Sequence, residues 1–146
     1  MRDKLPAFVL GLLTALTATH LTPKLTGSFT ALGRRKATGE KAFVLNVVLQ
    51  FRDRVTAESL VRDWRLAADY CLANEDFLFA YEMAQSDQDP LRYAVMERYR
   101  SKADYLGAHR SSPAFKEFRP KMKALQSSGD VVVTGSSWNE LGVGFT

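Results

Sequence analysis

Three side chains close together in the chain have the types to move a proton: Glu97, Tyr99 and His109. Imidazole is the side chain that titrates nearest neutrality, so His109 is suited to take a proton from a bound phenol or enol. In that reading Glu97 orients the imidazole and Tyr99 grips the ring of the substrate. A second, structural reading is favoured over it. Glu97 and His109 can form a buried pair that ties a strand to a helix, because a buried carboxylate needs a partner whether or not it does chemistry.

The elements around these residues are legible from period and capping. From Leu91 onward, Leu91, Tyr93, Val95, Glu97 and Tyr99 alternate with Arg92, Ala94, Met96 and Arg98, the two-residue period of a strand. Ser101-Lys-Ala-Asp104 then has the pattern of a reciprocal helix cap, so the strand feeds directly into a helix. Ala103, Leu106 and Arg110 follow at helical spacing, with His109 beside the last. Ser112-Pro113 restarts the helix, with serine as N-cap and proline at the first position. Phe115, Phe118, Met122 and Leu125 continue an apolar stripe, and Pro120 is expected to bend or break this second piece.

This run, with Glu97-Arg-Tyr99 at the strand end and His109-Arg-Ser-Ser-Pro-Ala-Phe115 after the cap, resembles the antibiotic biosynthesis monooxygenase domain. In that family the third strand ends in Glu-x-aromatic, and the following helix carries His-x-x-Ser-x-x-Phe. The resemblance implies a dimeric α/β barrel formed sheet to sheet, with a pocket inside each subunit between sheet and helices. Family members include cofactor-free monooxygenases that oxidise polycyclic phenols, relatives that degrade heme, and isomerases of small signalling molecules. For the first class the implied mechanism is deprotonation of the substrate, whose anion then gives electrons to O₂, so no metal and no flavin is expected. Heme-degrading relatives carry a tryptophan where Tyr99 stands and an iron-binding histidine where Arg119 stands, and both departures argue against heme chemistry.

Taken in order, the rest of the chain supplies a complete small domain. Phe43 to Phe51 reads as a first strand, with Phe43, Leu45, Val47, Leu49 and Phe51 on one face and a largely apolar second face, as in a sheet covered on both sides. Thr56 is expected to cap a helix with Glu58 in its first turn, whose buried stripe is Leu60, Trp64, Ala67 and Cys71, widened by Val61, Ala68 and Leu72. Phe77 to Met83 is a second strand with Phe77, Phe79, Tyr81 and Met83 sharing a face, Ser86 to Pro90 a hairpin loop, and Val131 to Thr134 a last strand before a tail with Trp138 and Phe145. The order is β-α-β-β-α-β, an α+β ferredoxin-like domain. One apolar sheet face left bare calls for a second copy, so a homodimer is expected.

Further candidates lie on these elements. Asn46 interrupts an apolar strand and needs partners there, either a substrate or oxygen intermediate, or a strand edge or water. Trp64, Tyr105 and the Phe115/Phe118 pair are placed to line a pocket for an aromatic compound, although stripes of this kind also simply build cores. Cys71 reads as a buried, inert thiol. With His20 and His109 the only histidines, no multi-histidine metal site is expected within one chain.

Composition bounds the remaining classes. The 146-residue chain has a net charge of +4, but residues 1–41 hold seven basic and two acidic groups, and residues 42–146 thirteen basic and fourteen acidic. The basic character therefore belongs to the N-terminal segment, and a nucleic-acid partner is not expected. Residues 5–22 are uncharged and apolar after a basic start, the pattern of a secretory or organellar targeting segment, of a single membrane anchor, or of an extra helix packed on the domain. The expected division is thus a targeting or membrane-anchor segment at 1–22, a basic linker at 23–41 and the monooxygenase-like domain at 42–146. The function expected of that domain is a cofactor-independent monooxygenase using O₂ on a small aromatic or quinol-like compound. The alternatives are a small-molecule isomerase and a non-catalytic module for ligand binding or dimerisation.

Overall fold

The structure, a computed structural model, describes residues 41–143. The expected targeting segment, all of the linker but Lys41, and Phe145 lie outside the described residues. Among the described residues no helix is long and apolar enough to cross a membrane.

The observed order is β1 (Phe43–Phe51), α1 (Arg54–Asn74), β2 (Leu78–Gln85), β3 (Arg92–Tyr99), α2 (Lys102–Asp104) continuing into a π-helical turn (Tyr105–His109), α3 (Pro113–Ser128) and β4 (Val131–Asn139). The four strands form one antiparallel sheet in the order β2-β3-β1-β4. This is the ferredoxin-like arrangement, with the first and third strands central.

Register decides what each face carries. Phe43, Leu45, Val47 and Leu49 of β1 stand opposite Tyr99, Glu97, Val95 and Tyr93 of β3, so both alternating sets share the inner face. The inner face packs on the α1 stripe Ala57, Leu60, Trp64, Ala67 and on Phe118 and Met122 of α3. Trp64 is the hub. Its indole stacks on Tyr81 at 4.1 Å between centroids and meets Phe118 edge-on at 5.5 Å, contacts worth about 0.5–1.5 kcal/mol each beyond buried area. The outer face carries Val44, Val48, Met96, Val132 and Trp138, of which Met96, Val132 and Trp138 are exposed.

Several local expectations change. Asp53, rather than Thr56, caps α1: its carboxylate accepts from the Thr56 N–H at 2.9 Å and from the Thr56 hydroxyl at 2.8 Å. Leu72 is half exposed, off the packed stripe. In β2 an irregularity between Leu78 and Ala80 inserts Phe79, so Leu78, not Phe79, shares the inner face with Tyr81 and Met83. α3 runs through Pro120 without ending; Pro120 and Lys116 are exposed, so water can serve the carbonyl that proline leaves without a donor. It ends at Gly129, whose φ of 78° closes the left-handed cap. β4 extends five residues beyond Thr134 because β1 supplies a partner along its full length, from Phe51↔Val131 to Phe43↔Asn139. Gly135 fits that ladder, since a Cβ there would lie 3.3 Å from the Asn46 carbonyl oxygen and from a Val47 methyl.

Candidate functional site

The capping patterns set the geometry of the site. Ser101 Oγ accepts from the Asp104 N–H at 3.1 Å and donates to its carboxylate at 2.6 Å, which starts α2 directly after β3. The helix then widens into the π turn that ends at His109, and Ser112 Oγ starts α3 by accepting from the Phe115 N–H at 3.2 Å. Between this segment, α1 and the inner sheet face lies a cavity of about 290 Å³. Leu45, Val47, Leu49, Val95 and Val133 form its sheet wall, and Trp64, Tyr81, Tyr105, Phe115 and Phe118 supply rings. His109 and Glu97 also face it.

His109 is buried in an aromatic cage, with ring centroids of Tyr99, Phe115, Tyr81 and Tyr105 at 5.2, 5.3, 5.8 and 6.0 Å. Its Nδ1 lies 2.7 Å from Glu75 Oε2. Burial alone would raise the Glu75 carboxyl, but the hydrogen bond and charge of His109, with hydrogen bonds from Ser112 and Cys71, outweigh it and hold Glu75 below the ordinary carboxylate range. An ionised Glu75 can only accept, so Nδ1 carries the proton and donates. Nε2 is thereby left as the basic nitrogen, and it makes no hydrogen bond among the described residues.

Glu97 is shifted the opposite way. Burial pushes its carboxyl above the ordinary range, against the lowering effects of Tyr99 and His109. Tyr99, fully buried, donates its hydroxyl to Glu97 Oε2 at 2.6 Å, and its own ionisation is driven up by burial and by that carboxylate. The other oxygen of Glu97 has no hydrogen-bond partner among the described residues, and the residue lines the cavity.

The structure therefore brings together five of the seven residues expected at the site around one cavity: His109, Glu97, Trp64, Tyr105 and Phe115. Tyr99 lies behind Glu97 and does not line the cavity. Asn46 is excluded: it is exposed on the outer sheet face, opposite Met96 and Ser136, because the two-residue period turns it away from Leu45 and Val47. The expected Glu97–His109 pair is also corrected, since the partner of His109 is Glu75. A signal for Glu75 was present in the sequence. The buried stripe Ala57, Leu60, Trp64, Ala67, Cys71 continues at the next i+4 position to Glu75, an acid in an apolar phase.

Cys71, Glu75 and His109 offer ligand atoms that lie within 4.8 Å of one another, a donor set zinc accepts. The 2.7 Å Nδ1–Oε2 separation, however, is that of a hydrogen bond. Two ligands at tetrahedral zinc sit about 3.3 Å apart, given metal–ligand distances of about 2.0–2.1 Å. As arranged, the trio is a hydrogen-bonded network that fixes an imidazole.

No curated protein matches the chain. Among solved structures, a conserved protein from Methanosarcina mazei is similar over 68% of this chain and 92% of its own, with a TM-score of 0.56 and 16% identity. A protein from Caulobacter crescentus, provisionally assigned as an antibiotic biosynthesis monooxygenase, covers 66% of this chain and 89% of its own at a TM-score of 0.53 and 21% identity. A third, from Nitrosomonas europaea and with the same provisional assignment, covers 67% and 98% at 0.54 and 16%. At these identities the likeness is one of fold. The model of the antibiotic biosynthesis monooxygenase family matches residues 47–121, which include the Glu75–His109 pair and most of the residues that line the cavity. By that match over half of its length, the chain belongs to the antibiotic biosynthesis monooxygenase family.

Proposed function

We propose that the domain is a cofactor-independent monooxygenase acting on a small hydroxylated aromatic compound. The observation that carries this reading is the basic Nε2 of His109, fixed by Glu75 and facing a cavity walled by aromatic rings. A naphthol-like substrate bound there loses its hydroxyl proton to Nε2, and the imidazolium formed is stabilised by ionised Glu75. The electron-rich anion reduces O₂, a C–O bond forms at the ring carbon, and loss of water leaves the quinone: one oxygen atom enters the product and the other leaves as water. Glu97, whose carboxyl burial pushes above the ordinary range, lines the same cavity, and its protonated form would donate a hydrogen bond from its free oxygen to the developing oxyanion. The cavity is at the low end of the usual ligand-pocket range of about 300–1,000 Å³, suited to one or two rings. Val132, Met96 and Trp138 on the outer sheet face support a homodimer, testable by light scattering of the protein and a Trp138→Glu variant.

The test is oxygen uptake with a panel of naphthols and hydroquinones in flavin-free buffer containing a metal chelator, with ¹⁸O₂ to trace the product. The decisive variant is His109→Asn, whose amide can still donate to Glu75 but has no basic atom. Uptake should fall by roughly 10²–10⁴, the range contributed by a general base, while the melting temperature stays close to that of the parent. Undiminished uptake in this variant would remove His109 from the mechanism, and its absence from both proteins would leave the isomerase and binding-module readings.

A further inference from the structure

Of all the residues that line the cavity, two are exposed: Arg110, directly after the π turn, and Arg119, on α3 one turn beyond Phe115. Their exposure marks where the cavity opens. The rest of the lining is apolar or aromatic apart from Glu97 and His109, so the two guanidiniums are its only fixed positive charges. Neither has a carboxylate within ion-pair distance among the described residues; Arg62, Arg65 and Arg92 have none either, but none of those three lines the cavity. Arg119 makes one long contact, 3.4 Å from Nη1 to Gln126 Oε1, and Arg110 lies over the Phe115 ring at 6.0 Å. Phe115 is itself part of the cavity wall, which places the Arg110 guanidinium beside the space a substrate ring would fill.

We infer that the substrate is an aromatic acid, its ring in the apolar part of the cavity and its carboxylate held at the opening by Arg110 and Arg119. This rests on the proposed use of the cavity for a hydroxylated aromatic compound and narrows its class. Guanidinium is the side chain whose planar fork of donors matches a carboxylate, and a charge-assisted pair of this kind both orients and selects. Anchoring at the opening leaves the ring hydroxyl to reach Nε2 of His109 further in.

The test is calorimetric binding to the full chain, with 6-hydroxy-2-naphthoic acid and 2-naphthol compared at pH 8 in low and high salt. The acid should bind at least tenfold more tightly than the naphthol, and the advantage should shrink as salt rises. An Arg110→Gln/Arg119→Gln double variant, changed only at exposed positions, should lose that advantage and keep its affinity for the naphthol within twofold. Equal binding of the two compounds to the parent, or an acid preference that survives in the double variant, would overturn the inference. Either result with naphthol still bound would leave the monooxygenase reading intact. That reading is addressed separately by oxygen uptake in His109→Asn.

Discussion

Glu75, at the end of α1, and Glu97, on β3, both act electrostatically on His109, yet the fold drives their protons in opposite directions. Glu75 collects donors: the imidazole Nδ1–H, the Ser112 hydroxyl and the Cys71 thiol outweigh the cost of burial and keep it ionised. Glu97 receives one donor, Tyr99, and burial dominates. Burial therefore does not set the charge of a carboxyl by itself; the number and kind of donors brought to it decide. Two acids around one imidazole are thereby biased oppositely, one toward the anion that accepts from Nδ1 and the other toward its protonated form.

The difference can be broken most severely at Glu75. Glu75→Ala removes the acceptor of a buried imidazole N–H and should cost about 1–3 kcal/mol, read from urea denaturation. Glu75→Gln keeps the shape but not the charge, so oxygen uptake should fall on the order of a hundredfold with a smaller loss of stability. At Glu97 the signature is pH. Its raised folded pKa means that its contribution to stability is fully present below the unfolded value, near 4.5, and is lost as pH rises through the folded pKa. For Glu75, lowered, the contribution is present above about 4.5 and is lost as pH falls through the folded pKa. Melting temperatures of the parent and Glu97→Gln, followed from acid to alkaline pH, should therefore diverge on the alkaline side, with the variant keeping the stability the parent loses.

Tyr99→Phe sharpens the comparison more gently. It deletes the donor to Glu97 and should cost about 1 kcal/mol, measured by chemical denaturation, with uptake reduced less than in Glu75→Gln. Asn46→Ala is the smallest expected change. Exposed on the other side of the sheet, it should stay within about 0.5 kcal/mol of the parent and leave uptake unaltered, and a large loss of uptake would return Asn46 to the site.

Patterns confined to one element were the readable ones. β1 begins and ends at Phe43 and Phe51 as its alternation requires, and the caps at Ser101 and Ser112 form the bonds their spacing specifies. Features that arise between elements were not readable. β4 gains its length from the β1 ladder rather than from Gly135-Ser-Ser, which have little strand preference of their own. The inserted Phe79 shows only in its pairing with β3. The same holds for the site. Trp64, Tyr105 and Phe115 could be assigned to a pocket from their stripes, but the identity of the partner of His109 depended on where α1 stops relative to the π turn, a distance across 34 residues of sequence.

That turn has a further consequence. An α-helix advances 100° per residue, and a π turn absorbs one residue more than the regular spiral would, so it resets the phase of everything after it. Winding Tyr105–His109 as regular α-helix at unchanged length would turn the imidazole by about a quarter-turn away from Glu75 while the caps on either side stayed compatible with a helix. The winding of this one turn is thus a discrete setting of the backbone: in the π form it brings an imidazole against Glu75, and in the α form the same residues would not meet.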